Sequence, residues 1–330
     1  MRGPVLWVTA QNSWDEGALA ASFGTVWLLQ LGVSASVQPI RQGAGPAMMW
    51  PPGVSAGTPF LTERRRGFRR PKFPLPDAAG FGTVVIDQDV HNAWGADLTM
   101  PVGMRTALFM RTVPEPGFDP ASLSAYDAIW AANRPVWDVV RSWTVVAESR
   151  LWLVPPPPLG LGGDAWSAGS RSLVTAGVLD VVKGLDMVLN ALTVLRDRGQ
   201  TWQLTVLGDG PERSRWTVYA ASLGLDVHFE ATALAWDTVI AAADILLAPQ
   251  FRDGLGWDVA SAARMGTRVI MSDLPTLREH IRHTSDVEIL RETRAADLVE
   301  AMETMAAHPS PRSEGVAADQ ISAVWREMVN

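Results

Sequence analysis

The stretch AAADILLAPQFRDGLGWDVASAARMGTRVIMSD, residues 241–273, decides the fold. Ile245–Ala248 is a short, wholly apolar run of the kind buried on both faces of a parallel sheet. The loop that follows carries Asp253-Gly254-Leu255-Gly256-Trp257 and opens a small-residue helix from about Trp257. That helix ends at Met265-Gly266-Thr267, and Arg268–Met271 is the next strand. Strand, glycine-rich loop, helix and strand in this order form one βαβ unit.

Working upstream, the alternation continues. Ser172–Gly177, Gln203–Leu207 and Val227–Phe229 read as strands, and Gly184–Arg196, Glu212–Leu223 and Asp237–Ala243 as helices. A parallel sheet covered on both faces follows, and ligands of such sheets bind beyond the carboxyl ends of the strands. The loops after residues 177, 207 and 248 are therefore the ones to inspect. The first ends in Lys183-Gly184 at a helix start, and the second is Gly208-Asp209-Gly210-Pro211. Glycines let a backbone approach a ligand closely, and the N–H groups of a helix start suit a phosphate. Lys72 and Lys183 are the only lysines in a chain that otherwise uses arginine.

Three segments taken together, VTAGVLDVVKGLDMVLNALTVL, LTVLGDGPE and the opening stretch, resemble glycosyltransferase family 4 over residues 172 to about 307. The resemblance implies an α/β chain of GT-B architecture, with two Rossmann-like domains whose parallel sheets face across a cleft. It implies a retaining, metal-independent transfer from a nucleotide-diphosphate sugar, with no cofactor. Donor contacts would come from Gly177, Lys183, Gly184, Gly208, Asp209, Gly210, Arg252, Asp253, Gly254, Leu255, Gly256, Trp257 and Ser261. Lys183 and the N–H groups of Gly256 and Trp257 would face the leaving diphosphate, and Asp253 would orient the sugar hydroxyls. The family's arginine after the first-loop glycine is Val178 here, and its two glutamates, separated by seven residues, are Asp253 and Ser261. Arg252 is a candidate substitute for the missing arginine.

The first half shares only the layout. Strands are expected at Val5–Thr9, Ser34–Ile40, Thr83–Ile86, Thr106–Met110 and Ala128–Ala132, with a helix over Gly17–Leu31 and a helix start at Asp119-Pro120. IDQDVHNAW, Ile86–Trp94, follows a strand, so Asp89 and His91, with Arg111 one strand further on, are candidates for the acceptor side. The resemblance implies a catalytic histidine near the sugar, for which His91 is the candidate beside Asp253 and Lys183. Asp87-Gln88-Asp89 also spells an acid-x-acid motif that could hold a divalent metal, which leaves a metal-dependent transferase as an alternative. A transferase-like partner that binds without turnover is the other. His280 and His283 beside Glu279 are expected on a solvated helix face rather than at a zinc site.

The proline- and glycine-rich segment Leu151–Ser170 is the clearest boundary in the sequence and is expected to be an interdomain linker. The expected division is an acceptor-side domain at 1–154, a linker at 155–170, a donor domain at 171–312 and a helix at 313–330 that packs back on the first domain. The run Arg64–Lys72 is strongly basic and could meet an anionic acceptor, a membrane surface or nucleic acid. The net charge of −7 argues against nucleic-acid binding through the overall field. No apolar run is long enough to span a bilayer, and the N-terminal stretch reads as a first strand rather than a signal peptide. The absence of cysteine removes disulfides and thiolate metal sites and fits a cytoplasmic protein.

Overall fold

A computed structural model describes residues 3–43, 46–59, 73–74, 80–94, 98–99, 102–158, 170–231, 236–281, 286–308 and 318–329. The basic run 64–72, His283 and most of the 155–170 linker lie outside the described residues. The chain divides into two compact units, Met1–Pro157 with Asp319–Asn330, and Pro158–Ala318.

In the first unit the strands are β1 (Val5–Gln11), β2 (Ala35–Arg41), β3 (Ser55–Ala56), β4 (Phe73–Pro74), β5 (Thr83–Asp87), β6 (Leu98–Thr99), β7 (Arg105–Met110), β8 (Ala128–Ala131) and β9 (Leu151–Leu153). Its helices are α1 (Glu16–Gln30), α2 (Gln88–Trp94), α3 (Arg134–Arg141) and, from the far end of the chain, α10 (Ala318–Val329). Seven of the strands form one sheet, ordered β3-β2-β1-β5-β7-β8-β9, and every pairing in it is parallel. Leu151–Leu153, at the start of the segment expected to be an interdomain linker, is instead the last strand of this sheet. The proline run begins only after its backbone has paired with β8. Asp119-Pro120 does start a helical turn, but a 3-10 one that stops at Ala125.

Helix α1 is buried on almost every side, from Gly17 to Leu28, as expected of a helix without a polar face. The sheet covers one flank, where the Trp7 ring lies against Gly24, and Trp325 of α10 reaches the same glycine. Trp7 packs edge-on against Phe109 and Trp130, and Trp130 against Trp325, whose indole N–H donates to the Pro155 carbonyl at 3.0 Å. Edge-on aromatic pairs add to what area burial alone contributes. We expect Trp325→Ala to destabilise the first unit by about 3–5 kcal/mol. Urea denaturation read by tryptophan fluorescence measures this; an unchanged midpoint would mean that α10 adds nothing to the unit.

The second unit holds β10 (Ser172–Ala176), β11 (Gln203–Leu207), β12 (Val227–Glu230), β13 (Ile245–Ala248), β14 (Arg268–Met271) and β15 (Val287–Ile289). Between them run α4 (Leu185–Asp197), α5 (Arg213–Ser222), α6 (Trp236–Ala242), α7 (Trp257–Met265), α8 (Pro275–Arg278) and α9 (Ala295–Ala307). The strand order is β12-β11-β10-β13-β14-β15, again all parallel. Its core is apolar and continuous, built from the inner faces of α4 and α9 against β10, β11 and β13. In both sheets the order reverses beside the first strand, which opens a crevice at the carboxyl end of that strand and its neighbour.

Candidate functional site

In the second unit the crevice lies where the loops leaving β10, β11 and β13 meet. Two glycines let these loops touch. Gly208, at φ +126°, sits where a Cβ would stand 2.0 Å from the Gly177 carbonyl oxygen. Gly184, at φ +77°, would place one 2.4 Å from the Pro249 carbonyl oxygen. The glycines expected to admit a ligand therefore first admit neighbouring backbone. Leu179 N–H donates to the Asp209 carbonyl and Phe251 N–H to the Val182 carbonyl, which ties the three loops into one surface.

Lys183 ends a 3-10 turn capped by Asp180 and is buried, not displayed. Its ammonium lies against Gly177 and donates to Asp258 Oδ2 at 2.7 Å and to Gln250 Oε1 at 3.2 Å. Neither partner was a sequence candidate. Asp258 reads from sequence as an acid in the first turn of a helix, with nothing to point it at a lysine 75 residues away. Helix α7 starts at Gly256, which has no side chain to cap it. Arg252 is mostly exposed, 3.9 Å from Asp180.

The other donor candidates are anchored within the unit. Asp253 Oδ1 accepts from the Thr276 hydroxyl at 2.7 Å and from its N–H at 3.3 Å, so this carboxylate also holds the first turn of α8. Asp209 accepts from Gly210 N–H and from Arg213. Ser261 is turned inward, where its hydroxyl accepts from Arg264 at 3.0 Å, and Arg264 in turn pairs with buried Asp237 at 3.1 Å. His280 lies past the end of α8, against Gly256 and Glu279, and is mostly buried rather than solvated.

The crevice of the first unit holds a cluster of opposite character. Arg111 is buried and pairs with Asp87 at 3.0 Å, Asp89 at 2.6 Å and Glu16 at 3.3 Å. Burial pushes the Asp87 carboxyl up, against the pull of Arg111, and pushes the Asp15 carboxyl up to about 6. Burial would lower the Arg111 guanidinium, but the carboxylates of Asp87, Asp89, Glu16 and Asp15 outweigh it and hold it above its ordinary value. The two acids of the acid-x-acid motif thus already share a cation supplied by the protein. Among the described residues no group of three or more His, Asp or Glu could hold a metal ion. His91 has both ring nitrogens engaged, with the Tyr126 hydroxyl at 2.8 Å and the Ser122 hydroxyl at 3.2 Å, and burial lowers its pKa. Arg111 and Asp89 come together; His91 points to the other side of α2.

Residues 170–308 match the family described as glycosyl transferases group 1. Over 138 residues the chain is 30% identical to a GDP-mannose-dependent alpha-(1-6)-phosphatidylinositol dimannoside mannosyltransferase of Mycobacterium tuberculosis. That match covers 42% of this chain and 36% of the relative, so it spans little more than a third of the length of the curated protein. The fold likeness is wider. A sucrose-phosphate synthase from Thermosynechococcus elongatus superposes with a TM-score of 0.59 at 15% identity, covering 99% of this chain and 94% of that one. The Anabaena HepE protein in complex with UDP and glucose gives 0.59 at 11% identity, covering 99% and 93%. Among the described residues no helix is long and apolar enough to cross a membrane. Residues 170–308 are thus similar to the glycosyl transferases group 1 family, and the chain's two Rossmann-like halves have the fold of GT-B glycosyltransferases.

Proposed function

We propose that the chain transfers a hexosyl group from a nucleotide-diphosphate sugar, with retention at the anomeric carbon and without a divalent metal. The observation that carries this reading is the placement of the Lys183 ammonium at the carboxyl ends of β10 and β13, inside the family-matched segment. The difficult step is departure of a nucleoside diphosphate from an anomeric carbon of oxocarbenium character. Fixed positive groups facing the leaving phosphate supply most of the rate in such a step. Lys183 has one ammonium hydrogen beyond those given to Asp258 and Gln250, and the α7 N-terminus at Gly256 and Trp257 adds backbone N–H groups. Asp253, pinned through Oδ1 by Thr276, would present Oδ2 to the sugar hydroxyls.

The loops around Gly177, Gly184, Gly208, Asp209, Gly210, Gly254 and Leu255 would form the floor of this site. Ser261 and His91, whose polar atoms are already engaged, are assigned to packing. Guanosine and uridine diphosphate sugars are the donors to try first. The mycobacterial relative is named for the one, and HepE was solved with UDP. The acceptor is proposed to be anionic, from the charge of the run Arg64–Lys72 alone.

Turnover of labelled donor by the full chain is expected to keep at least about half its rate after exhaustive EDTA treatment, since protein cations stand where a metal would otherwise act. Asp253→Asn is expected to lower the rate more than Asp89→Asn. The reverse order, with rescue by manganese, would place the donor in the first unit.

A further inference from the structure

Lys183 is the cation on which the nucleotide reading rests, yet its closest partner is an acid. The Lys183–Asp258 pair is 2.7 Å long and both side chains are more than nine-tenths buried. Asp258 also sits in the first turn of α7, where a carboxylate offsets the positive end of the helix. It thus opposes both of the features expected to receive a diphosphate. The same balance holds nearby: Arg252 faces Asp180 and Arg213 faces Asp209, while Asp253 adds a further acid. Val178, which follows the Gly177 that Lys183 lies against, adds no charge to offset these acids. Charge effects between groups this close and this buried are far larger than in water.

We propose that Asp258 is a built-in counter-anion, which competes with the ligand's diphosphate for Lys183 and holds nucleotide affinity down. The proposal rests on the nucleotide reading above and deepens it. Lys183 is pre-positioned by a carboxylate on one side and a neutral amide, Gln250, on the other. A diphosphate that takes the remaining ammonium hydrogen meets a charge already half spent on Asp258. Asp258 is a positioning residue: it touches the lysine, not the reacting atoms. The consequence is a site that orients its lysine without holding the departing nucleoside diphosphate tightly, which favours product release.

The test is calorimetric titration of the full chain with GDP and with UDP. Asp258→Asn keeps the size and an acceptor oxygen but removes the charge, and is expected to bind the preferred nucleotide about tenfold more tightly than the parent. The gain should vanish when Lys183→Ala is added. Structural damage alone lowers affinity, so a gain separates competition from a merely structural part. Gln250→Glu places a second carboxylate on the same ammonium and is expected to weaken binding about tenfold, which keeps the proposal testable if Asp258→Asn fails to fold. Unchanged affinity in Gln250→Glu, or equal or weaker binding by folded Asp258→Asn, would overturn the proposal, even with the parent binding and Lys183→Ala not. If neither nucleotide binds the parent or any variant, the nucleotide reading falls and this proposal with it.

Discussion

Lys183→Ala is expected to lower the transfer rate of the full chain by at least about 100-fold, the usual consequence of removing a preorganised charge from a leaving group. The effect should appear in kcat as well as in KM, because charge on the leaving phosphate grows toward the transition state. The substitution also strands Asp258, which is buried and would lose its cation. Leaving one half of a buried pair destabilises by about 3–5 kcal/mol, so the second unit must be shown to be folded at the assay temperature. Lys183→Arg separates the two effects. It keeps a cation beside Asp258 but cannot reproduce the compact ammonium between Gly177 and Gln250, so stability should largely return and rate only in part. Equal rates in Lys183→Ala and the parent would show that the lysine is a structural ion-pair member alone.

Arg111→Leu carries the second large expectation. Arg111 pairs with Asp87, Asp89 and Glu16 at the head of α1 and α2, and its removal leaves Asp87 fully buried without this cation. We expect the first unit to lose about 3–5 kcal/mol at neutral pH. The pH dependence gives the signature. Asp15 and Asp87 have folded pKa values above the ordinary 3.8, Asp15 at about 6, so between these values the folded state holds protons that the unfolded state releases. That contribution is fully present below pH 3.8 and fades as pH rises through about 6. Without Arg111 the carboxyls are pushed higher still, so Arg111→Leu should cost less stability at pH 5 than at pH 7.5. Urea unfolding at the two pH values measures this, and an equal loss at both would mean the cluster does not couple to folding.

The second half was legible because its signal is local. Ile245–Ala248 and Arg268–Met271 are apolar runs with strand length, and the structure has strands at those positions. Helix starts after glycine-rich turns fall within a residue of their expected places at α4, α5 and α7. The partners of the site were not legible, because they are set by sheet order. Asp258 meets Lys183 only because β13 lies beside β10, and no periodicity along the chain encodes that neighbour. Leu151–Leu153 was lost for a related reason: three residues before a proline run carry too little pattern to announce a strand. His91 shows the same limit in the first unit. Its place after a strand made it a site candidate, yet its ring is consumed by Tyr126 and Ser122, contacts made across 35 and 31 residues.

Backbone hydrogen exchange of the full chain, with and without saturating nucleoside diphosphate, tests the central claim most directly. Binding beside Lys183 should slow exchange in the three loops that meet there, residues 177–184, 208–213 and 249–258, and leave the first unit at its unliganded rates. Protection centred instead on residues 87–94 and 111–112, around Asp87 and Asp89, would contradict the account.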